Sequence, residues 1–400
     1  MAYFPPSKRG PGFRTISAAS YSSSSTSSDE SVDIPEDLNS KEFLVFAGFS
    51  EEKAAAIFQR WCNRGDRDEL LYHDAIAFIK TKAEELDAVD EDDDWRAALI
   101  NMGLSSRLIL RILDPRFKKV RLTGCACSWA LDTIQESFSF LEHLDGAVEK
   151  RKKNNAIERT DSPDGTKNPR PALRPQNRRT TGTSSSSSSH PTPTVFVDTA
   201  PTEVDGRSIF MKGGSETRFS RAVKADGSLS VFHLQSEAPT DFHPKEPTYI
   251  YLTKDREVAE LYARYVEERC EGVKGVILQI AIPNDLVSDA REIFGNDWQE
   301  LIWNSRNTSI FEDTLRILSP SIRHYESYDV LVSNLCTTST HRIARMTSQS
   351  EIEAFRLSNG TKASQHVIQT QTRQLEIARQ STGFIWIIPY RASQIQGYRR

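Results

Sequence analysis

Two stretches of this 400-residue sequence hold too few apolar side chains to build a core, and they divide everything else. Residues 1–36 are dominated by serine, with Ser22, Ser23, Ser24 and Ser25 in a row and Ser27, Ser28 and Ser31 around Asp29 and Glu30. Residues 151–194 follow the basic cluster at Lys150, Arg151, Lys152 and Lys153, pass Arg178 and Arg179, and reach a serine tract at 184–189. Ordering such segments costs conformational entropy that no buried surface offsets, so both are expected to be disordered. Serines followed by acids in the first stretch are candidate phosphorylation sites. Two foldable units remain, residues 37–150 and 195–392, with a flexible tail at 393–400.

The charge balance excludes a uniformly basic nucleic-acid binder: 51 Lys and Arg against 55 Asp and Glu leave a net charge of −4. A local patch is still open, because the basic clusters of the linker could serve nuclear import or weak nucleic-acid contact. Cys62, Cys125, Cys127, Cys270 and Cys336 are odd in number and form neither a CxxC pair nor a zinc spacing. They read as reduced, mostly buried thiols of a cytoplasmic or nuclear protein. The first ten residues lack the apolar region of a secretory signal. No apolar run approaches the ~18 residues of a membrane span, so no membrane association is expected.

Residues 37–150 read as all-α. Ala54, Ile57, Phe58 and Trp61 recur at helical spacing, as do Leu71, Ile76, Phe78 and Ile79, and then Leu99, Leu108, Ile109 and Ile112. Ser50 ahead of Glu51 and Glu52 suits an N-cap, and Asp114-Pro115 closes a helix. Five or six helices are expected, with an unknown protein partner as their natural ligand. Residues 195–392 differ. Strand-like pieces fall at 194–197, 208–212, 229–234, 249–252, 276–282, 330–332, 366–369 and 384–388, and helical stretches at 257–268 and 297–303. The whole is α+β.

The richest stretch runs from Pro247 to Tyr265. A strand there carries Tyr249, Tyr251 and Thr253 on one face, because side chains alternate with period two. The helix after it presents Ala259, Tyr262 and Ala263 together, and the small alanines let it approach the sheet closely. Tyr251 and Tyr262 would then converge on one cleft. Taken alone, such tyrosines mean core packing; in a cleft they stack on a planar ring. Upstream, the strand at 209–212 ends in Lys212, Gly213 and Gly214, where a cation meets backbone that a ligand can approach. Trp298, Trp303 and Arg306 fall on adjacent helical faces, which reads as core with one surface arginine.

Together these segments resemble the ADP-ribosyltransferase fold, closest to its poly(ADP-ribose) polymerase or diphtheria-toxin-like class: a strand with a cation and Gly, then Tyr-hydrophobic-Thr, then Ala-x-x-Tyr. Residues 328–332 and 365–370, with Asp297-Trp298, Leu301, Trp303 and Arg306, are similar to small bacterial and fungal transferase-like domains. The resemblance covers residues 207–390. It implies NAD as cofactor. Gly213 would hold the nicotinamide amide, Tyr251 and Tyr262 would sandwich the ring beside Thr253, and Lys212 would contact ribose or phosphate. Gln365 would take the place of the family's catalytic glutamate.

Two positions depart from the pattern. A neutral amide at Gln365 cannot stabilise positive charge developing on the ribose as a carboxylate does, which costs a rate factor of ~10² or more. Lysine in place of histidine at 212 is a flexible point charge that no ring orients. A slow, altered or inactive transferase is therefore expected. The alternative is a non-catalytic interaction protein that uses its helical domain. Glu300, Glu326 and Asp329 are candidates for the missing carboxylate, and spacing selects none of them.

Overall fold

The structure, a computed structural model, describes residues 11–17, 31–64, 69–84, 92–160, 195–224, 226–236, 240–242, 249–306 and 320–390. The expectations for residues 1–10, 18–30, 161–194 and 393–400, the candidate phosphorylation sites at Ser27 and Ser28 among them, lie outside the described residues. Chain architecture is mixed helix and sheet: among the described residues, helices and no strand lie from residue 41 to 160, and both sheets of the C-terminal unit lie between 207 and 389.

The N-terminal stretch is not structureless throughout. Strands β1 (Phe13–Ser17) and β2 (Ser31–Pro35) pair antiparallel, with Phe13 opposite Pro35. The few apolar residues there suffice for a ribbon: Ile34 is buried, and Phe13, Ile16 and Val32 pack on the helical core. Arg14 adds an ion pair with Asp145 at 2.9 Å.

Seven helices follow among the described residues: α1 (Lys41–Phe46), α2 (Glu51–Cys62), α3 (Leu71–Glu84), α4 (Asp92–Asn101), α5 (Ser106–Ile112), α6 (Lys118–Arg121) and α7 (Ala126–Thr160). Ser50 caps α2 by accepting from the Lys53 N–H. Past Ile112 the chain enters a 3₁₀ turn at Pro115–Phe117, with the Asp114 side chain accepting from the Arg116 N–H. The 35-residue α7 overruns the boundary expected at 150. Its lysines, arginines and glutamates there are good helix formers, so low apolar content does not end the helix.

The C-terminal unit contains β3 (Arg207–Ser215), α8 (Glu216–Ala222), β4 (Gln235–Ser236), β5 (Tyr249–Leu252), α9 (Arg256–Arg269), β6 (Gly275–Pro283), β7 (Arg291–Ile293), α10 (Gly295–Arg306), α11 (Pro320–Arg323), β8 (Val330–Asn334), α12 (Thr340–Arg345), β9 (Ser364–Ile368), α13 (Gln371–Gln380) and β10 (Ile385–Pro389). Two expected strands fail: the described part of 194–197 holds only a bridge from Phe196 to Ile387, and Val231–His233 is a 3₁₀ turn with Phe232 74% exposed, β4 beginning after it. One sheet has the order β10-β6-β3 and the other β4-β5-β9-β8-β7. They meet where β3 passes β5. Met211 and Thr253 exchange backbone hydrogen bonds of 2.7 and 2.9 Å there.

Helix α9 crosses β3 and β6 at backbone contact. A Cβ built on Gly213 would lie 1.9 Å from the Ala259 carbonyl oxygen, and one on Gly275 would lie 2.1 Å from that of Ala263. Two glycines below and two alanines above thus set the helix–sheet distance. On its other face α9 faces the N-terminal helices. Val266, Cys270 and Val273 belong to their apolar core, and Tyr265 donates to the Ile112 carbonyl at 3.0 Å. The helical unit is packed onto the sheet unit, so part of the surface expected to receive a partner protein is already covered. Cys125, Cys127, Cys270 and Cys336 are buried free thiols. No described helix is long and apolar enough to cross a membrane.

Candidate functional site

A cavity of about 380 Å³ lies between α7, the end of β3, β5, α9 and the start of β9, within the size range of small-molecule sites. Lys212, Gly213, Tyr251, Thr253, Tyr262 and Gln365 all border it.

Each is held for a local reason. Lys212 Nζ donates to Ser236 Oγ at 3.2 Å and to the Tyr251 carbonyl at 3.3 Å. Enclosure and the nearby Arg218 push its pKa down to about 7. Gly213 borders the cavity, yet the close approach of Ala259 is what demands glycine there. Thr253 is a strut: its hydroxyl donates to the Ser364 carbonyl at 2.7 Å and accepts from the Asp255 N–H at 2.9 Å, tying β5 to β9. The Tyr251 hydroxyl lies 3.3 Å from the Phe242 N–H, and burial raises its pKa. Tyr262 shares a 2.7 Å hydrogen bond with Thr123 Oγ1, and burial pushes it up to about 12. Its ring neighbour is Trp129 at 6.4 Å, contributed by α7.

Gln365 does not stand alone. Its Nε2 donates to Asp241 Oδ2 at 2.5 Å and to the Asn334 carbonyl at 3.2 Å. Asp241 is the carboxylate that sequence reasoning missed; Glu300, Glu326 and Asp329 do not line the cavity, and Asp329 is engaged by Thr370 and Arg373. Asp241 is bound by Arg306 and by the Cys336 N–H at 2.9 Å. Arg306, read from the sequence as a surface residue, is 2% exposed. It also donates to the carbonyls of Thr123 (2.7 Å) and Thr338 (3.1 Å). The helix face holding Trp298 turns it inward, where three loops supply acceptors.

Comparison with family models, with curated proteins and with solved structures gave no match.

The α7 wall was also invisible in the sequence. Asp132 pairs with Arg269 at 2.6 Å, and Glu136 accepts from Ser215 Oγ at 2.5 Å. Burial and the neighbouring Asp132 raise the Glu136 pKa. The one available hint was the acid spacing Asp132/Glu136 on an otherwise apolar helical stretch, which ordinarily means a solvated face.

Lys212 gives stability a pH dependence of known sign. Its folded pKa of about 7 lies below the unfolded value of ~10.4. The unfolded chain thus binds more protons between those limits, so this group's contribution rises with pH across the window. The Lys212→Met variant should exceed the wild type in urea midpoint near pH ~6.5, with the advantage shrinking by pH ~9.5. An equal difference at both pH values would contradict the assignment.

Proposed function

We propose that this chain carries a divergent ADP-ribosyltransferase-like domain that binds NAD in this cavity, with transferase chemistry weak or lost. What supports the reading is convergence. Four segments singled out from the sequence, spread from Lys212 to Gln365, border one cavity. Strand β5 pairs with β9, and β3 meets the end of β5 through the Met211–Thr253 bridge. Tyr251, Tyr262 and Trp129 suit a planar ring, and the cations suit phosphate. The weak chemistry follows from Asp241: with Arg306 against it, its charge is already neutralised and stabilises a developing ribosyl cation poorly.

Titration of the full chain with NAD tests this. At ~100 times Kd, binding to the folded state alone adds about 2.7 kcal/mol, a clear rise in melting temperature. Tyr262→Ala should weaken NAD by about tenfold, the equivalent of 1.4 kcal/mol of lost ring contact. An unchanged Kd would remove the site assignment, and a flat wild-type titration would favour the non-catalytic alternative.

A further inference from the structure

Two cations in the cavity make no direct ion pair among the described residues, although Asp132 acts on Lys212 and Glu136 on Arg218 from farther off. Lys212 ends on Ser236 and the Tyr251 carbonyl; Arg218 donates through Nε to the His233 carbonyl at 2.9 Å and through a terminal nitrogen to that of Gln235 at 2.8 Å. All these acceptors are neutral. The two cations close on adjacent residues of β4. Other arginines of the cavity are paired: Arg269 with Asp132, Arg306 with Asp241, and Arg221 with Glu142 at 2.8 Å. Enclosed charges ordinarily carry a counter-charge, and two like charges side by side disfavour one another.

We propose that Lys212 and Arg218 form an oxyanion subsite, at the cavity end walled by α7 and α8, that takes a diphosphate or phosphate group without help from the aromatic end. The assignment of that group to NAD rests on the reading above; the subsite itself does not. A guanidinium offers a planar fork to two phosphate oxygens, and the ammonium adds a point charge beside it.

Binding is also coupled to protons. Groups facing Lys212 are Arg218 from α8 and Asp132 from α7, with Arg269 of α9 behind Asp132 and Glu136 of α7 beside Arg218. His233 borders the same end, its pKa lowered by burial and by Arg221 and Arg218. An arriving phosphate favours the ammonium form of Lys212, so binding above pH ~7 takes up a proton.

The test is calorimetric titration of the full chain with inorganic pyrophosphate near pH ~8, in two buffers of different ionisation enthalpy, with NAD titrated separately. Saturable binding with a buffer-dependent enthalpy is expected. Lys212→Met and Arg218→Met should each weaken it by at least about tenfold, and Lys212→Met should remove the lysine's proton uptake, leaving only the proton release of pyrophosphate itself. Should Arg218→Met fail to fold for want of its two carbonyl contacts, Arg218→Lys replaces it, with the same direction expected. Pyrophosphate binding beside a silent NAD titration upholds the subsite and points to a free or terminal phosphate as its source. NAD binding beside silent pyrophosphate overturns the subsite and leaves the NAD reading standing. Pyrophosphate binding unaltered in both variants overturns it as well.

Discussion

Gly213→Ala is expected to cost about 3 kcal/mol or more, the upper end of overpacking penalties. The added methyl would sit 1.9 Å from the Ala259 carbonyl oxygen, 2.8 Å from its carbon and 2.8 Å from the Ala263 nitrogen, and all three atoms belong to rigid backbone. No rotamer relieves that clash; α9 must lift from β3. Because α9 also carries Val266, and Cys270 just past its end, into the helical core, the shift would loosen both units together. Gly360→Ala is the control. Its φ of +85° strains an alanine by about 1–2 kcal/mol, but nothing lies within 4 Å of the new atom. Urea midpoints for the two variants measure the contrast, and equal losses would mean that the approach of α9 does not hold glycine at 213.

Breaking the Asp241–Arg306 pair from either side should cost about 3–5 kcal/mol, because each change strands a buried charge. Asp241→Asn leaves a guanidinium without its counter-ion. Arg306→Met leaves a carboxylate, and it also frees the carbonyls of Thr123 and Thr338. The double variant should lose clearly less than the sum of the singles, by 1 kcal/mol or more, as residues in one network do. Additivity within ~0.5 kcal/mol would show that the two residues do not act as a pair. The same double variant empties the charge beside Gln365, so its NAD affinity reports whether Asp241 serves the ligand or only the fold.

Legibility from sequence followed the range of the interaction. The Ser50 cap, the 249–252 strand and the alanines of α9 are set within one turn or one strand, and each was found where its local pattern put it. The β1–β2 ribbon was hidden because four apolar residues among many serines look like nothing until the helices offer them a surface. Helix α7 was cut short because composition marks where a core ends, not where a helix does.

The site divided in the same way. Lys212, Gly213, Tyr251, Thr253, Tyr262 and Gln365 lie on periodic elements, and alternation along a strand or spacing along a helix already puts each on a definite face. Asp241 and Arg306 are 65 residues apart and Glu136 and Ser215 are 79 apart, with no repeat linking either pair. Sequence alone therefore determined the segments, their secondary structure and the faces they present, since these depend on backbone geometry and neighbouring side chains. Tertiary structure alone decided which charges are neutralised and which stand unpaired. That outcome depends on burial and on distances across separate elements, which no spacing along the chain encodes.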